Sequence, residues 1–119
     1  MGYDGCIYDY TPEDDVMEAG KKFDNGKAPW HLLPLEFVAP LVPIFALGKE
    51  RYGFENWKRD FNTDDMTEEQ RFLSAIKRHT LAVEIHGAAA INHEDGGVYH
   101  SAQIAWNALR LLWGAIRKS

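Results

Sequence analysis

The sequence predicts a small all-α helical bundle, and three observations carry that prediction. Two long segments, 67–86 and 100–117, repeat apolar side chains at helical spacing. Glycine, proline and capping residues bound these and the shorter segments at the places where helices start and stop. No run alternates apolar and polar residues long enough to be a trusted strand. With 119 residues, 45% hydrophobic and 26% charged, the chain has the composition of a folded protein and the size of one domain. A single domain over 1–119 is expected, with residues 1–12 its least constrained part.

Thr11-Pro12-Glu13-Asp14 reads as the start of a short helix ending near Gly20. Thr11 can cap it, Pro12 suits the first helical position, and the acids suit the positive end of the helix dipole. Residues 21–29 form a loop around the tight-turn signal Asp24-Asn25-Gly26. Residues 30–52 are apolar but carry Pro34, Pro40 and Pro43, which argues against one continuous helix. A short turn or helix from Pro34 is expected, then a helix from about Pro40 to Tyr52, stopped by Gly53. Residues 54–66 form a loop rich in aromatic and polar side chains.

Thr67-Glu68-Glu69-Gln70 fits a capping box, Thr67 as cap and Gln70 reaching back. The helix it opens runs to about His86, stops at Gly87, and carries Phe72, Leu73, Ile76, Thr80 and Val83 as its apolar stripe. Ala88 to Ile91 can continue a helix, whereas Asp95-Gly96-Gly97 demands a turn. The last helix spans about His100 to Arg117. Its apolar residues cover more than one face, and Trp106 and Trp113 add a stripe. Such a helix is central or shared with a second subunit, so an oligomer sharing its core is expected.

The balance of 13 Lys+Arg against 18 Asp+Glu gives a net charge of −5, which disfavours duplex nucleic acid as a partner. No apolar run reaches the roughly 20 residues of a membrane span. The acidic N-terminus lacks the pattern of a secretory signal. The single cysteine, Cys6, excludes an internal disulfide framework and makes a reducing, cytoplasmic compartment the default.

Three stretches offer chemistry. Lys21, Lys22 and Lys27 flank the Asn-Gly turn, whose amides with Lys27 can hold a phosphate; an ordinary solvated turn is the simpler reading. Around the end of the Pro40–Tyr52 helix, Tyr52, Phe54 and Trp57 can stack on a base, Asn56 can read its edge, and Lys49, Arg51 and Lys58 can meet phosphates. Simple packing of the helix end explains the same residues. On the capped helix Arg78 and His79 stand together, followed by Glu84 and then by His93, Glu94, Asp95 and His100. Histidine and carboxylate side chains ligate magnesium, manganese or zinc, although this spacing matches no metal motif.

Taken in order, Lys22-Phe23-Asp24-Asn25-Gly26-Lys27 with Leu32-Leu33-Pro34, then Gly48, Tyr52-Gly53, Asn56-Trp57, then Arg78-His79, then His100 and Ala105-Trp106-Asn107-Ala108-Leu109 resemble a phage and prophage family, the dATP/dGTP diphosphohydrolase N-terminal domain. The resemblance covers roughly residues 20–113. It implies a MazG-like all-α nucleoside triphosphate pyrophosphohydrolase, oligomeric, phage- or prophage-encoded in a bacterial host, using Mg or Mn. It implies that Lys27, Asn56, Trp57, His79, His100 and Asn107 lie near a nucleotide; Lys49 and Arg78, read from their charge, are with Lys27 the candidates to meet its phosphates. Glu84, Glu94 and Asp95 are the expected metal ligands, and Glu84, Asp95 and His79 the expected catalytic groups.

The departures from the family pattern are specific. Alanines 88–90 stand where acids often follow Gly87, Gln103 stands where a second histidine is common, and no intact ExxE and ExxD pair is present. The expected reaction is metal-dependent conversion of a purine (d)NTP to (d)NMP and pyrophosphate. The alternative is a non-catalytic protein that sequesters a nucleotide or a cyclic-nucleotide immune messenger.

Overall fold

The computed structural model describes residues 26–118. The expected helix from Thr11 to Gly20 and Cys6 lie outside the described residues. The chain divides into two compact units, Met1–Leu35 and Glu36–Ser119.

In the first unit, Gly26 adopts φ 83°, a left-handed conformation open to glycine at no steric cost. A 3-10 turn follows at Trp30–Leu32, with the Leu33 N–H donating to the Trp30 carbonyl at 3.0 Å.

The second unit begins within the single helical turn α1, Leu35–Val38. A 3-10 turn at Ala39–Leu41 leads into α2, Val42–Tyr52. The helix expected from Pro40 thus starts two residues later, because Pro40 opens the 3-10 turn and Pro43 takes the first turn of α2. Gly53 stops α2 with φ 101°, as expected. Helix α3 spans Glu68–His86 and α4 spans His100–Lys118. Both arms of the capping box form: the Gln70 N–H donates to Thr67 Oγ1 at 3.1 Å, and the Thr67 N–H donates to Gln70 Oε1 at 2.9 Å.

Between the long helices lies a hairpin that periodicity did not show. Strands β1, Ile91–Asn92, and β2, Val98–Tyr99, pair antiparallel with Ile91 opposite Tyr99 and Asn92 opposite Val98. Two-residue strands carry no readable alternation. Their connection contains a 3-10 turn, His93–Asp95, and then Gly96 and Gly97 at φ 76° and 87°.

Helix α3 packs along α4, and the apolar core joins Leu41, Ile44 and Ala102 with Val38, Val98 and Trp106 around them. The inward face of α4 differs from the apolar one expected. Gln103 and Arg110 are buried there with Ala102 and Gly114, while Leu109, Leu112 and Ile116 are 47%, 55% and 43% exposed. Leu73, placed in the α3 stripe by its spacing, is likewise exposed.

The reason is an ion pair. Glu68, the first residue of α3, is buried and receives Arg110 Nη2 at 2.8 Å and Nη1 at 3.3 Å. Arg110 also donates from Nε to the Trp57 carbonyl and from Nη2 to the Arg59 carbonyl at 3.2 Å. Burial alone would raise the Glu68 carboxyl; hydrogen bonds from Arg110 and the Phe61 N–H, with the Arg110 and Lys118 charges, outweigh it and hold the group below the usual range. One buried pair thereby ties α3 and α4 to the 54–66 loop.

Candidate functional site

A polar cluster forms where the C-terminal end of α2, the hairpin and the first turns of α4 meet. Arg51 Nη1 donates to Asp95 Oδ1 at 2.9 Å, and Arg51 Nη2 reaches the Glu94 carbonyl at 3.4 Å. The other Asp95 oxygen accepts from Gln103 Nε2 at 2.7 Å and from Asn92 Nδ2 at 3.1 Å. Asn92 Nδ2 also donates to Gln103 Oε1 at 3.0 Å. Burial would raise the Asp95 carboxyl; the hydrogen bonds from Arg51 and Gln103, with the charges of Arg51 and His79, lower it instead.

Nearby, His79 on α3 meets His100 at the start of α4, Nδ1 to Nδ1, at 2.9 Å. Burial, then the charges of His100 and Arg78, push His79 below its ordinary value against the opposing pull of Asp95. The structure therefore brings His79, His100 and Asp95 into one electrostatic neighbourhood.

Glu84 is elsewhere. It lies on α3 five residues beyond His79, about 140° around the helix axis, and is exposed. The Glu94 side chain is exposed too, and its N–H donates to Asn92 Oδ1 at 3.1 Å. Glu84, Glu94 and Asp95 thus do not converge as the expected ligand set. Among the described residues, no group of three or more His, Cys, Asp or Glu side chains is placed to hold a metal ion.

Three of the expected nucleotide-binding residues do come together. Lys49, Asn56 and Trp57 line one cavity of about 480 Å³ with Phe45 and Phe54. The turn that presents them, Asn56–Lys58, follows Glu55 in the left-handed conformation at φ 56°. Asn56 lies across Gly48, where an added Cβ would stand 2.9 Å from Asn56 Oδ1. Gly48 is therefore the reason the Asn56 amide can reach the wall of α2.

Among the other expected residues of the second unit, His79, Arg78, His100 and Asn107 are not part of that cavity's lining. Arg78 is exposed, and among the described residues its Nη1 donates to Ser74 Oγ at 3.4 Å. The Asn107 amide donates to the Gln103 carbonyl within α4 at 2.7 Å. Lys27 is exposed and belongs to the first unit. Sequence reasoning missed the Glu68–Arg110 pair. The available signal was a glycine, Gly114, one helical turn after an arginine set among the apolar residues Leu109, Leu111, Leu112 and Trp113.

These features describe a small helical domain with a histidine-bearing polar cluster and a mainly apolar cavity that also carries the Lys49 ammonium, the Glu55 carboxylate and the Asn56 amide. The chain belongs to the family described as dATP/dGTP diphosphohydrolase, N-terminal, whose model matches residues 17–119. It is 37% identical over 65 residues to a dATP/dGTP diphosphohydrolase of Salmonella phage PMBT28; the match covers 55% of this chain and 20% of that protein. The chain thus spans about a fifth of the length of that relative. No solved structure matches the chain. Among the described residues no helix is long and apolar enough to cross a membrane.

Proposed function

We propose that this chain binds a purine (deoxy)nucleoside triphosphate as a domain of a phage or prophage diphosphohydrolase acting in the bacterial cytoplasm. The observation that carries the reading is the cavity of Lys49, Asn56 and Trp57 in a chain whose family match runs over residues 17–119. Phe54, exposed in the same wall, offers a ring to a base, the Asn56 amide offers a donor and an acceptor to a base edge, and Lys49 offers a cation to a phosphate beside the Glu55 carboxylate. No contact with duplex nucleic acid is proposed, because the chain carries net charge −5.

The reaction proposed for the whole protein converts a purine (d)NTP to the monophosphate and pyrophosphate. Mg²⁺ or Mn²⁺ supplies charge neutralisation in such chemistry. The described residues do not fit that ion: three ligands do not converge, and both Asp95 oxygens are engaged by Arg51, Gln103 and Asn92. The same observation favours the second reading, in which the chain captures a nucleotide or a cyclic-nucleotide messenger without cleaving it. Incubation with a nucleotide panel and Mg²⁺ or Mn²⁺, reading both products and recovered ligand, decides. Monophosphate and pyrophosphate establish the hydrolase. Tight binding with intact recovery establishes capture, and the absence of both cleavage and binding overturns the nucleotide reading.

A homo-oligomer is part of the proposal. The exposed row of Leu109, Leu112 and Ile116 on α4 is a surface that a second copy can cover.

A further inference from the structure

In a chain of net charge −5, five cationic side chains line one cavity of about 300 Å³: Lys58, Arg59, Arg110, Arg117 and Lys118. The carboxylates in its wall are Asp60 and Glu68, and both are engaged. Asp60 Oδ1 accepts from the Asn62 N–H at 2.9 Å and from Asn62 Nδ2 at 2.7 Å. Glu68 holds Arg110 at 2.8 Å, with Lys118 Nζ at a loose 3.9 Å. Lys58 pairs at 2.9 Å with Glu55, which is not part of the wall.

Arg59 and Arg117 have no ion-pair partner among the described residues. The Arg59 guanidinium is stacked 4.6 Å from the Phe61 ring centroid and 5.3 Å from that of Tyr52. The Arg117 guanidinium is stacked 4.6 Å from the Trp113 centroid, its one hydrogen bond a 3.5 Å contact to the Lys58 carbonyl. Stacking holds each plane still and leaves N–H edges available, the geometry in which arginine grips a phosphate with two parallel hydrogen bonds.

The C-terminal end of a helix accounts for Arg117 and Lys118 by itself. It does not account for Lys58 and Arg59, which reach the same cavity from the loop before α3. Five cations face the two carboxylates of this wall, so positive charge is in surplus there and favours an anion.

We propose that this cavity binds a phosphate-bearing anion, with Arg59 and Arg117 as its fork-shaped donors and Lys58 and Lys118 supplying further charge. The site is separate from the Lys49, Asn56 and Trp57 cavity and rests on no property of a base. Its ligand chemistry is a short polyphosphate, whether inorganic or the tail of a nucleotide.

The experiment is calorimetry on the full chain with inorganic tripolyphosphate, at low and at high salt, with dATP titrated in parallel. Wild type binds tripolyphosphate, more weakly at high salt. The double variant Arg59→Gln/Arg117→Gln loses about tenfold or more, as loss of charge-assisted hydrogen bonds predicts. Lys77→Gln, an exposed cation outside the cavity, keeps wild-type affinity. Because the double variant also loses stacking, a second readout uses wild type alone: the Nε–H resonances of Arg59 and Arg117 shift as tripolyphosphate is added. Absence of tripolyphosphate binding by wild type, or resonance shifts confined to other residues, overturns the site. If dATP binds with equal affinity in wild type and double variant while tripolyphosphate does not bind, this inference fails and the nucleotide reading stands. If tripolyphosphate binds as described and dATP binds no tighter, the base-recognising cavity fails and this site stands.

Discussion

The Nδ1 atoms of His79 and His100 lie 2.9 Å apart, joining the middle of α3 to the first residue of α4. At that separation one ring donates and the other accepts, so at least one imidazole is neutral. Two imidazolium rings would set N–H against N–H. Burial, the His100 charge and the neighbouring Arg78 lower the pKa of His79 from 6.5, while Asp95 opposes them. As pH falls below that value, the unfolded chain takes up the proton before the folded one does. The folded state is therefore most favoured above the unfolded pKa, and stability is lost as pH falls through the lower folded value. Urea midpoints measured between pH 7.5 and 5 should fall for wild type and fall less for His79→Gln. Equal slopes would show that the histidine contact is not coupled to folding.

The buried pair predicts an unusual response to a helix-favouring substitution. Alanine in place of a helical glycine gains about 1 kcal/mol from propensity. At Gly114, however, the new Cβ would stand 2.8 Å from both Arg110 Nη1 and Glu68 Oε2. Displacing that pair costs more than the propensity returns, so Gly114→Ala should be destabilising. Glu68→Gln, which leaves Arg110 buried without its countercharge, should cost about 3–5 kcal/mol. Urea denaturation checks both, and a stabilised Gly114→Ala protein would show that the pair is not held as described.

Nucleotide binding should depend on Lys49. This residue is exposed on α2 and lines the cavity with Asn56 and Trp57. Lys49→Ala should weaken dATP or dGTP binding by about 1.5–3 kcal/mol, the range for a charge-assisted hydrogen bond. Trp57 is a poorer probe. Its ring packs on Phe45 and Trp113, and its carbonyl receives Arg110. Unchanged affinity in Lys49→Ala would move the ligand out of this cavity.

The carboxylates separate cleavage from capture, but they are not equivalent tests. Glu84 is exposed and has no ion-pair partner among the described residues, so Glu84→Gln tests chemistry with little structural consequence. Asp95→Asn also breaks the 2.9 Å contact to Arg51 and alters the acceptor used by Gln103 and Asn92. If the chain hydrolyses nucleotides through these acids, Glu84→Gln should abolish turnover and leave binding nearly unchanged. Full turnover in Glu84→Gln excludes it as the catalytic carboxylate.

Light scattering at micromolar concentration should report at least a dimer. Leu112, 55% exposed on α4, is the position to test. Leu112→Glu should shift the population toward monomer, because an interface cannot readily bury an unpaired carboxylate. A wild-type mass equal to the 13.6 kDa chain would remove the oligomer.

Local chemistry made much of this protein legible from sequence. The Thr67 and Gln70 capping box, the stops at Gly53 and Gly87, and the α4 start at His100 depend on neighbours a few residues away, and each formed as read. The ordered motifs likewise pointed to the family whose model matches residues 17–119. The tertiary structure decided what those helices present. Periodicity counts apolar residues on a face, and on α4 it could not show that Arg110 would turn inward to meet a carboxylate 42 residues earlier while Leu109 and Leu112 faced out. Nor could it pair Arg51 with Asp95, 44 residues apart, and so engage the acid that spacing had offered as a free ligand. A helix cap is satisfied within one turn, whereas the partner of a buried charge is set by which distant segments the chain packs together.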